Sequence, residues 1–207
     1  MNIKNVVISI AFALCACLSM FSFVACRKGT DGLEYKLLRD GTYSVANYTG
    51  HETKVVIPNK YEGKKITEIG GLAFKFSSAY IVEVNIPSTV VKINARAFEN
   101  CVALENVELG KNIQEIGGSA FINCVSLRSI TIPSTVTLIK AYAFKNCTAL
   151  TSVTFQDKRD WTIIDTRYFS VGYLTILEKD LEDKAIATEL IVEICNDVVW
   201  CKKSSKS

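Results

Sequence analysis

The apolar residues of this chain follow a pattern that repeats every 23 or 24 residues. Each copy contains an Ala-Phe pair with an Ile four residues before the Ala, and the pairs lie at 73–74, 97–98, 120–121 and 143–144. The last three copies continue with an Asn-Cys pair. A fixed period of this length is typical of a solenoid, in which each coil buries its apolar side against the neighbouring coils.

Each copy also contains a short segment of alternating apolar and polar residues, which predicts a β-strand. In the clearest copy the apolar positions are Leu104, Val107 and Leu109, and the same spacing recurs in the following copies. Because side chains alternate across a strand, we expect the residues between these positions to point outward. The resulting polar row is the candidate partner-binding face, and it consists of Glu83, Asn85, Asn106, Glu108, Ser129, Thr131, Ser152 and Thr154.

The second half of each copy predicts two ladders of identical side chains. We expect the Phe side chains to stack inside the solenoid and the Asn side chains to bond backbone groups in the turn. A polar binding surface made by the Asn side chains is the alternative. The residues concerned are Phe98, Phe121 and Phe144 in the first ladder, and Asn100, Asn123 and Asn146 in the second.

The limits of the periodic pattern predict how the chain is organised. A hairpin that grades into an incomplete repeat precedes the regular coils, and a cap with a helix and a final strand follows them. We expect the helix to begin at Asp180 and to run to about Ile194, and the last strand to begin at Val198. Such caps are needed because the end coils of a solenoid otherwise expose core residues and strand edges. The predicted parts are a signal segment at 1–25, a tether and cap at 26–69, repeats at 70–155, and a cap and tail at 156–207.

The repeating unit L-x-x-[VI]-x-[IL]-P-x-x-[VI]-x-x-I-x-x-x-A-F-x-N-C resembles the repeat of BspA-like leucine-rich-repeat proteins of bacterial surfaces. Leu104, Val107 and Leu109 match the strand half of leucine-rich repeats in general. The commoner repeat classes place a buried Asn three residues after the last of these positions, and here only Asn112 fills that place. The resemblance implies a right-handed superhelix, mostly of β-strands with short turns, and a small C-terminal α/β cap.

The first residues resemble the signal segment of bacterial lipoproteins. A start carrying Lys4 precedes an apolar run from Val6 to Phe23, which ends in Ala25-Cys26. The resemblance implies that Cys26 is acylated and becomes the mature N-terminus. Arg27 after it favours the outer membrane or the cell surface. An uncleaved membrane helix is the alternative, because the run is just long enough to span a bilayer.

The cysteines predict structural rather than chemical roles. Cys101, Cys124 and Cys147 hold one equivalent position in successive coils, which favours buried thiols stacked in a turn. A disulfide between neighbouring coils is within geometric reach and stays an alternative. Cys195 and Cys201 are close enough in sequence to bond across a turn, and that pairing stays open.

Charge and composition exclude several functional classes. The net charge of +3 is too small for the basic surface that nucleic acids require. The single histidine, His51, has no second ligand at metal-binding spacing, and no motif for a nucleophile or a phosphate loop is present. We therefore expect no enzymatic activity, no metal and no cofactor.

Two non-enzymatic hypotheses remain. The first is a lipid-anchored surface protein that binds a protein partner through its exposed strand face; the resemblance implies adhesion to host matrix proteins such as fibronectin, to host cells or to other bacteria. The second is a structural spacer of the cell envelope without a dedicated ligand.

Overall fold

The computed structural model describes residues 29–165, 174–176, 178–194 and 198–202. The predicted signal segment, Cys26, Cys195 and the aromatic residues Tyr168, Phe169 and Tyr173 lie outside the described residues.

Short β-strands form most of the regular structure, as the alternating pattern predicts. The strands are β1 (Leu33–Leu37), β2 (Tyr43–Tyr48), β3 (Lys54–Val56), β4 (Lys60–Tyr61), β5 (Lys64–Ile69), β6 (Glu83–Asn85), β7 (Lys92–Ile93), β8 (Asn106–Glu108), β9 (Glu115–Ile116), β10 (Ser129–Ile132), β11 (Leu138–Ile139), β12 (Ser152–Phe155), β13 (Trp161–Asp165), β14 (Leu174–Thr175) and β15 (Val198–Lys202). A 3₁₀ turn at Lys75–Ser77, two short helices, α1 (Glu178–Glu182) and α2 (Lys184–Glu189), and a π-helical turn at Leu190–Ile194 complete the described elements.

Two sheets run along the solenoid and enclose its core. The front sheet has the order β12-β10-β8-β6-β3, and all of its neighbouring strands are parallel. The back sheet has the order β1-β2-β5-β7-β9-β11-β15-β13-β14, and β4 pairs with β5 beside it. Each regular coil contributes one strand to each sheet, so the predicted repeat solenoid is confirmed.

A ladder of aromatic rings fills the centre of the coils. Phe121 stacks on Phe98 and on Phe144, with ring centroids 5.0 and 5.3 Å apart and planes within 5° of parallel. Phe74 extends the stack beyond Phe98, and Tyr48 of the N-terminal hairpin adds a tilted ring at its end. The predicted Phe ladder is confirmed. It is continuous into the N-terminal cap, which the periodic pattern did not predict.

The Asn and Cys positions form two further ladders. The Asn123 side-chain amide donates to the Asn100 side-chain oxygen, and Asn146 donates likewise to Asn123, each over 2.7 Å. These Asn residues have φ near +60°, a conformation that Asn tolerates better than most residues. The prediction that the Asn side chains form a ladder is confirmed, but the amides bond each other rather than the backbone. The Cys124 thiol, by contrast, donates to the carbonyl oxygen of Phe98 over 3.2 Å.

The N-terminal cap protects the first coil of both sheets. The hairpin of β1 and β2 continues the back sheet, because β2 pairs in parallel with β5. At the outer edge of the front sheet, Thr30 bonds Val56 twice, through its backbone N–H at 3.0 Å and its hydroxyl at 2.7 Å. These bonds occupy backbone groups of β3 that would otherwise be free to pair with another strand.

The C-terminal cap closes the two sheets by different means. Antiparallel strands β15, β13 and β14 continue the back sheet beyond β11. Helix α2 packs on β12 at the front edge, where the Thr188 hydroxyl accepts the Val153 N–H at 3.1 Å.

The predicted position of the helix start was wrong: Asp183, rather than Asp180, caps α2 by accepting the N–H groups of Ala185 and Ile186. Asp180 lies inside the separate helix α1, because Asp183 interrupts the run.

One ion pair ties the last coil to the C-terminal cap. The Asp157 carboxylate lies 2.6 Å from the Lys202 ammonium and 3.0 Å from Arg159 Nε. The hydrogen bonds from Arg159 and Lys202 hold the pKa of Asp157 well below its ordinary value. The charged form of this carboxylate therefore stabilises the fold.

We expect Asp157→Asn to lower the free energy of unfolding at pH 7 by about 1 kcal/mol, because water still reaches the pair. The native pKa is depressed, so the stabilisation is complete above the unfolded-state pKa of about 3.9 and is lost gradually as the pH falls from there through the lower native pKa. Urea titrations of both proteins between pH 7 and about 2 measure this, and the difference in stability should shrink as the pH falls below about 4. Glu105→Gln, which breaks the exposed pair with Arg128, is the control and should change stability by under about 0.5 kcal/mol. A constant difference at every pH would contradict the prediction.

Candidate protein-binding surface

The predicted outward residues lie together on the outer face of the front sheet. Parallel pairing aligns Glu83 with Asn106, Asn106 with Ser129, and Ser129 with Ser152, which makes one row across four coils. A second row, two residues further along each strand, contains Asn85, Glu108, Thr131 and Thr154. The residues between the rows are Val84, Val107, Ile130 and Val153, which are buried. The predicted orientation of all eight residues is confirmed, and their role in binding stays a prediction.

The middle of this front face is its most exposed part. Asn106, Glu108, Ser129 and Thr131 are exposed. The outer members of each row are half-buried, and those on β12 lie beside helix α2. A partner would therefore reach the two central strands most easily.

Contacts along the front face hold its acidic side chains in place. Glu83 pairs with Lys54 of the preceding coil at 2.7 Å, and the Asn85 amide donates to the Glu108 carboxylate. Both carboxylates remain partly open to water. The face therefore presents fixed acceptor groups rather than freely rotating ones, which lowers the entropy lost when a partner binds.

The front face is not flat throughout, because a recess of about 380 Å³ crosses its centre. Its lining includes Glu108, Thr131 and Lys111, and about half of its wall is polar. Ligand pockets for small molecules are mostly apolar. The recess therefore suits a side chain or a short segment of a protein partner better than an apolar small molecule.

The back sheet carries a separate row of charges. Glu115 lies 3.3 Å from Lys92 and 2.7 Å from Lys140, its neighbours in the adjoining coils. Burial acts to raise the pKa of Glu115, but hydrogen bonds from the two lysines outweigh it, and the pKa is lowered. The Glu115 carboxylate thus links side chains from three successive coils, and this row contributes to coil stacking.

The buried cysteines are not suited to chemistry. Burial raises the pKa of the Cys101 and Cys147 thiols to about 12, and it raises that of Cys124 as well. Thiols with such pKa values stay protonated at neutral pH and are poor nucleophiles and poor metal ligands. All three thiols are free and buried, so the prediction of stacked structural thiols is confirmed. Cys201 is also free and lies 3.3 Å from the Thr162 hydroxyl.

Two exposed aromatic residues near the N-terminal end were not predicted from the sequence. Phe76 is 74% exposed and Tyr80 is 53% exposed, and the Tyr80 ring contacts His51 edge-on at 5.6 Å. Phe76 takes the place that Asn100 holds in the next coil, and this first coil is one residue longer. The 24-residue spacing between the first two Ala-Phe pairs, against 23 residues for the later pairs, was the only sequence feature that indicated an irregular turn here.

Two kinds of site can be checked directly in the described residues, a metal-binding cluster and a membrane-spanning helix. Nowhere in the described ranges do three His, Cys, Asp or Glu side chains come together as a metal site would require. Neither of the described helices is long and apolar enough to span a membrane.

Comparison with known families agrees with this geometry. The sequence model of the BspA type leucine-rich-repeat region matches residues 51–180 in six copies. The chain belongs to this family. Members of the BspA type are bacterial surface proteins, and their repeats form a non-enzymatic scaffold that generally binds proteins. The match begins before the first predicted regular coil and extends past the last one, while the predicted domain boundaries stay predictions.

Solved structures of other leucine-rich-repeat proteins resemble this chain. A leucine-rich-repeat protein of T. pallidum is 28% identical with a TM-score of 0.53, covering 61% of this chain and 70% of its own. A leucine-rich protein from Bacteroides capillosus is 28% identical with a TM-score of 0.55, covering 62% of this chain and 96% of its own. A leucine-rich cell surface protein of Faecalibacterium prausnitzii is 30% identical with a TM-score of 0.52, covering 63% of this chain and only 39% of its own. No curated protein matches the chain.

Proposed function

We propose that this BspA-type chain is a lipid-anchored surface protein that binds a protein partner through the front face of its solenoid. The observation that supports this most directly is the pair of aligned polar rows across four coils, with their exposed centre on β8 and β10. The outward side chains of both strands are exposed. A face of this kind favours an extended partner held by many modest contacts.

The chemistry of the face narrows the class of partner. Glu83 and Glu108 add negative charge, and Asn106, Ser129 and Thr131 offer small donors and acceptors. The front-face recess can receive one protruding side chain of the partner. An extended segment with a basic side chain opposite Glu108 fits this pattern best. Adhesion to a host matrix protein such as fibronectin, to host cells or to other bacteria is the proposed biological setting.

Anchoring through Cys26 completes the proposal. The apolar run before Ala25-Cys26 is that of a lipoprotein signal, and acylation there would hold the solenoid at the membrane surface, most simply the outer membrane. Mass spectrometry of the mature N-terminus tests it directly. A diacylated or triacylated Cys26 as first residue supports the proposal, and an intact Met1 contradicts it.

A structural spacer is the second candidate, and one observation favours it. The acidic residues of the front face already have partners within the protein, since Glu83 pairs with Lys54 and Glu108 accepts from Asn85. A solvated sheet face without a ligand would be arranged in the same way. Saturable binding separates the two candidates.

We expect Thr131→Arg combined with Ser129→Tyr to weaken binding to immobilised fibronectin at least about tenfold, because the new side chains fill the centre of the face. The melting temperature is expected to stay within about 2 °C, since both residues are exposed. Biosensor titration and thermal unfolding measure the two effects.

The matched control places the same side chains elsewhere. Thr137→Arg with Thr148→Tyr alters exposed residues outside the front face and is expected to leave affinity unchanged. If both variants lost affinity equally, or if neither lost affinity, the binding site would have to lie outside the front face. If the wild-type chain binds neither matrix proteins nor cells, the spacer becomes the better explanation.

A further inference from the structure

The N-terminal hairpin leaves one strand edge of the back sheet unpaired. Strand β1 is the terminal strand of its sheet, and among the described residues only β2 pairs with it. The opposite edge strand of the front sheet, β3, is covered by its two bonds to Thr30. An open strand edge is a ready template for another strand.

The direction of the backbone groups on β1 follows from the bonds at both of its ends. The Leu38 N–H donates to the Thr42 carbonyl over 2.8 Å, and the Gly32 carbonyl accepts from Thr49 over 3.0 Å. Both groups therefore point toward β2. The β1–β2 register shifts between Glu34 and Tyr35, but the extra residue, Ala46, lies on β2. Inward and outward groups therefore still alternate along β1, and the N–H and C=O groups of Leu33, Tyr35 and Leu37 point away from β2.

The sequence of β1 is complementary to itself in one antiparallel register. The strand reads Leu-Glu-Tyr-Lys-Leu from Leu33 to Leu37. When two copies meet with Tyr35 opposite Tyr35, Glu34 of each copy stands opposite Lys36 of the other. In the same register each Leu33 stands opposite Leu37 of the other copy.

This register is also the one in which the outward backbone groups meet. Tyr35 of each copy would exchange both hydrogen bonds with Tyr35 of the other, and Leu33 would do so with Leu37. Glu34 and Lys36 then form non-hydrogen-bonded pairs, in which Cα atoms come to about 4.5 Å and side chains are closest. Backbone and charge thus select the same alignment independently.

The side chains involved are available for such contacts. Glu34 and Lys36 are exposed, and Leu37 is 50% exposed. The Asn47 amide donates to Glu34 over 3.3 Å, which leaves acceptor positions of the carboxylate free for an ammonium group. A lysine in an edge strand usually deters pairing, but here the mirrored glutamate removes that obstacle for a second copy alone.

We propose that β1 is a self-association edge through which two copies of this chain pair antiparallel about Tyr35 and join their back sheets. The pairing leaves the front face open, so the inference does not rest on the proposed binding function. A five-residue strand pair buries less area than a permanent dimer needs, so the association is weak and depends on concentration.

Sedimentation velocity of the full chain in a mild detergent, over a range of protein concentrations, tests the proposal. We expect a reversible dimer at concentrations up to about 1 mM. Glu34→Lys and Lys36→Glu each turn two attractive pairs into repulsive ones and are expected to weaken the dimer at least about tenfold.

The charge swap is the decisive variant. The double change Glu34→Lys with Lys36→Glu recreates both pairs with reversed sign and is expected to restore dimerisation to within about threefold of wild type. An equimolar mixture of the two single variants should likewise form the mixed dimer. Arg128→Glu, an exposed charge reversal far from β1, is the control and should change nothing.

A backbone variant tests the edge itself. Leu37→Pro removes one outward N–H, which an edge strand tolerates, and is expected to abolish the dimer while the melting temperature changes little. A wild-type chain that stays monomeric throughout, a double swap that stays monomeric, or a Leu37→Pro chain that dimerises normally would each overturn the proposal.

Discussion

Replacing Phe121 by alanine is expected to lower the free energy of unfolding by about 3–5 kcal/mol, the usual range for a buried Phe. Phe121 is completely buried and its ring lies between those of Phe98 and Phe144. Truncation therefore leaves a cavity that faces two coils at once. Denaturant titration followed by circular dichroism measures the loss.

Two further variants make this result specific. Among the described residues, the Phe144 ring stacks on only one other Phe, so Phe144→Ala is expected to destabilise the protein less than Phe121→Ala does. Phe76→Ala removes the same atoms from an exposed position and should change stability by under about 0.5 kcal/mol. If Phe121→Ala lowered the free energy of unfolding by less than about 1 kcal/mol, the stacked Phe rings would not be a main source of core stability.

Replacing Trp200 by alanine is expected to cost a similar amount, about 3–5 kcal/mol, because it opens the C-terminal end of the core. Trp200 is fully buried, and its ring centroid lies 6.0 Å from that of Phe155 and 6.2 Å from that of Trp161. These rings close the last coil as Tyr48 closes the first. Thermal and urea unfolding, together with light scattering for aggregation, measure the effect.

Replacement of each Trp by Phe separates volume from hydrogen bonding. The Trp161 indole N–H donates to the Asp157 carbonyl over 2.9 Å, whereas that of Trp200 is buried with no partner among the described residues. Both changes remove the same atoms, but only Trp161→Phe removes a hydrogen bond, and it leaves the Asp157 carbonyl oxygen without that donor. We expect Trp161→Phe to be more destabilising than Trp200→Phe by about 1–2 kcal/mol. Equal losses would contradict this assignment.

The regular coils could be predicted from sequence because each coil solves the same packing problem as its neighbours. A Phe beside a small Ala must recur at the same place if the rings are to stack, so the period itself encodes the core. The outward face followed for the same reason, since alternation about buried residues such as Val107 and Ile130 leaves the intervening side chains no other direction.

The parts that could not be predicted depend on one coil only. The first coil is one residue longer, and its 3₁₀ turn at Lys75–Ser77 places Phe76 and Tyr80 in solvent. No second copy of this turn exists in the sequence to reveal its shape. The prediction of the helix start failed for a similar reason. Both Asp180 and Asp183 suit a helix N-terminus, and only the packing of α2 on β12 decides between them.

Some backbone features have no sequence signal even within the repeat. The residue before each Ala has φ near +60°, yet this position holds Leu72, Arg96, Ser119 and Tyr142. Glycine would normally be expected there. The neighbouring coils impose the conformation through backbone bonds, such as that from the Arg96 N–H to the Gly118 carbonyl. The recess on the front face was equally hidden, because it depends on the relative heights of side chains from different coils.

The buried thiols make the order of folding events important. In the unfolded chain Cys101, Cys124 and Cys147 have the ordinary thiol pKa of about 8.5, and an oxidising compartment can join them to one another or to other proteins. Once the coils close, burial raises the pKa of Cys101 and Cys147 to about 12 and the thiols no longer react. Closure of each coil therefore protects its own cysteine wherever the chain folds under oxidising conditions.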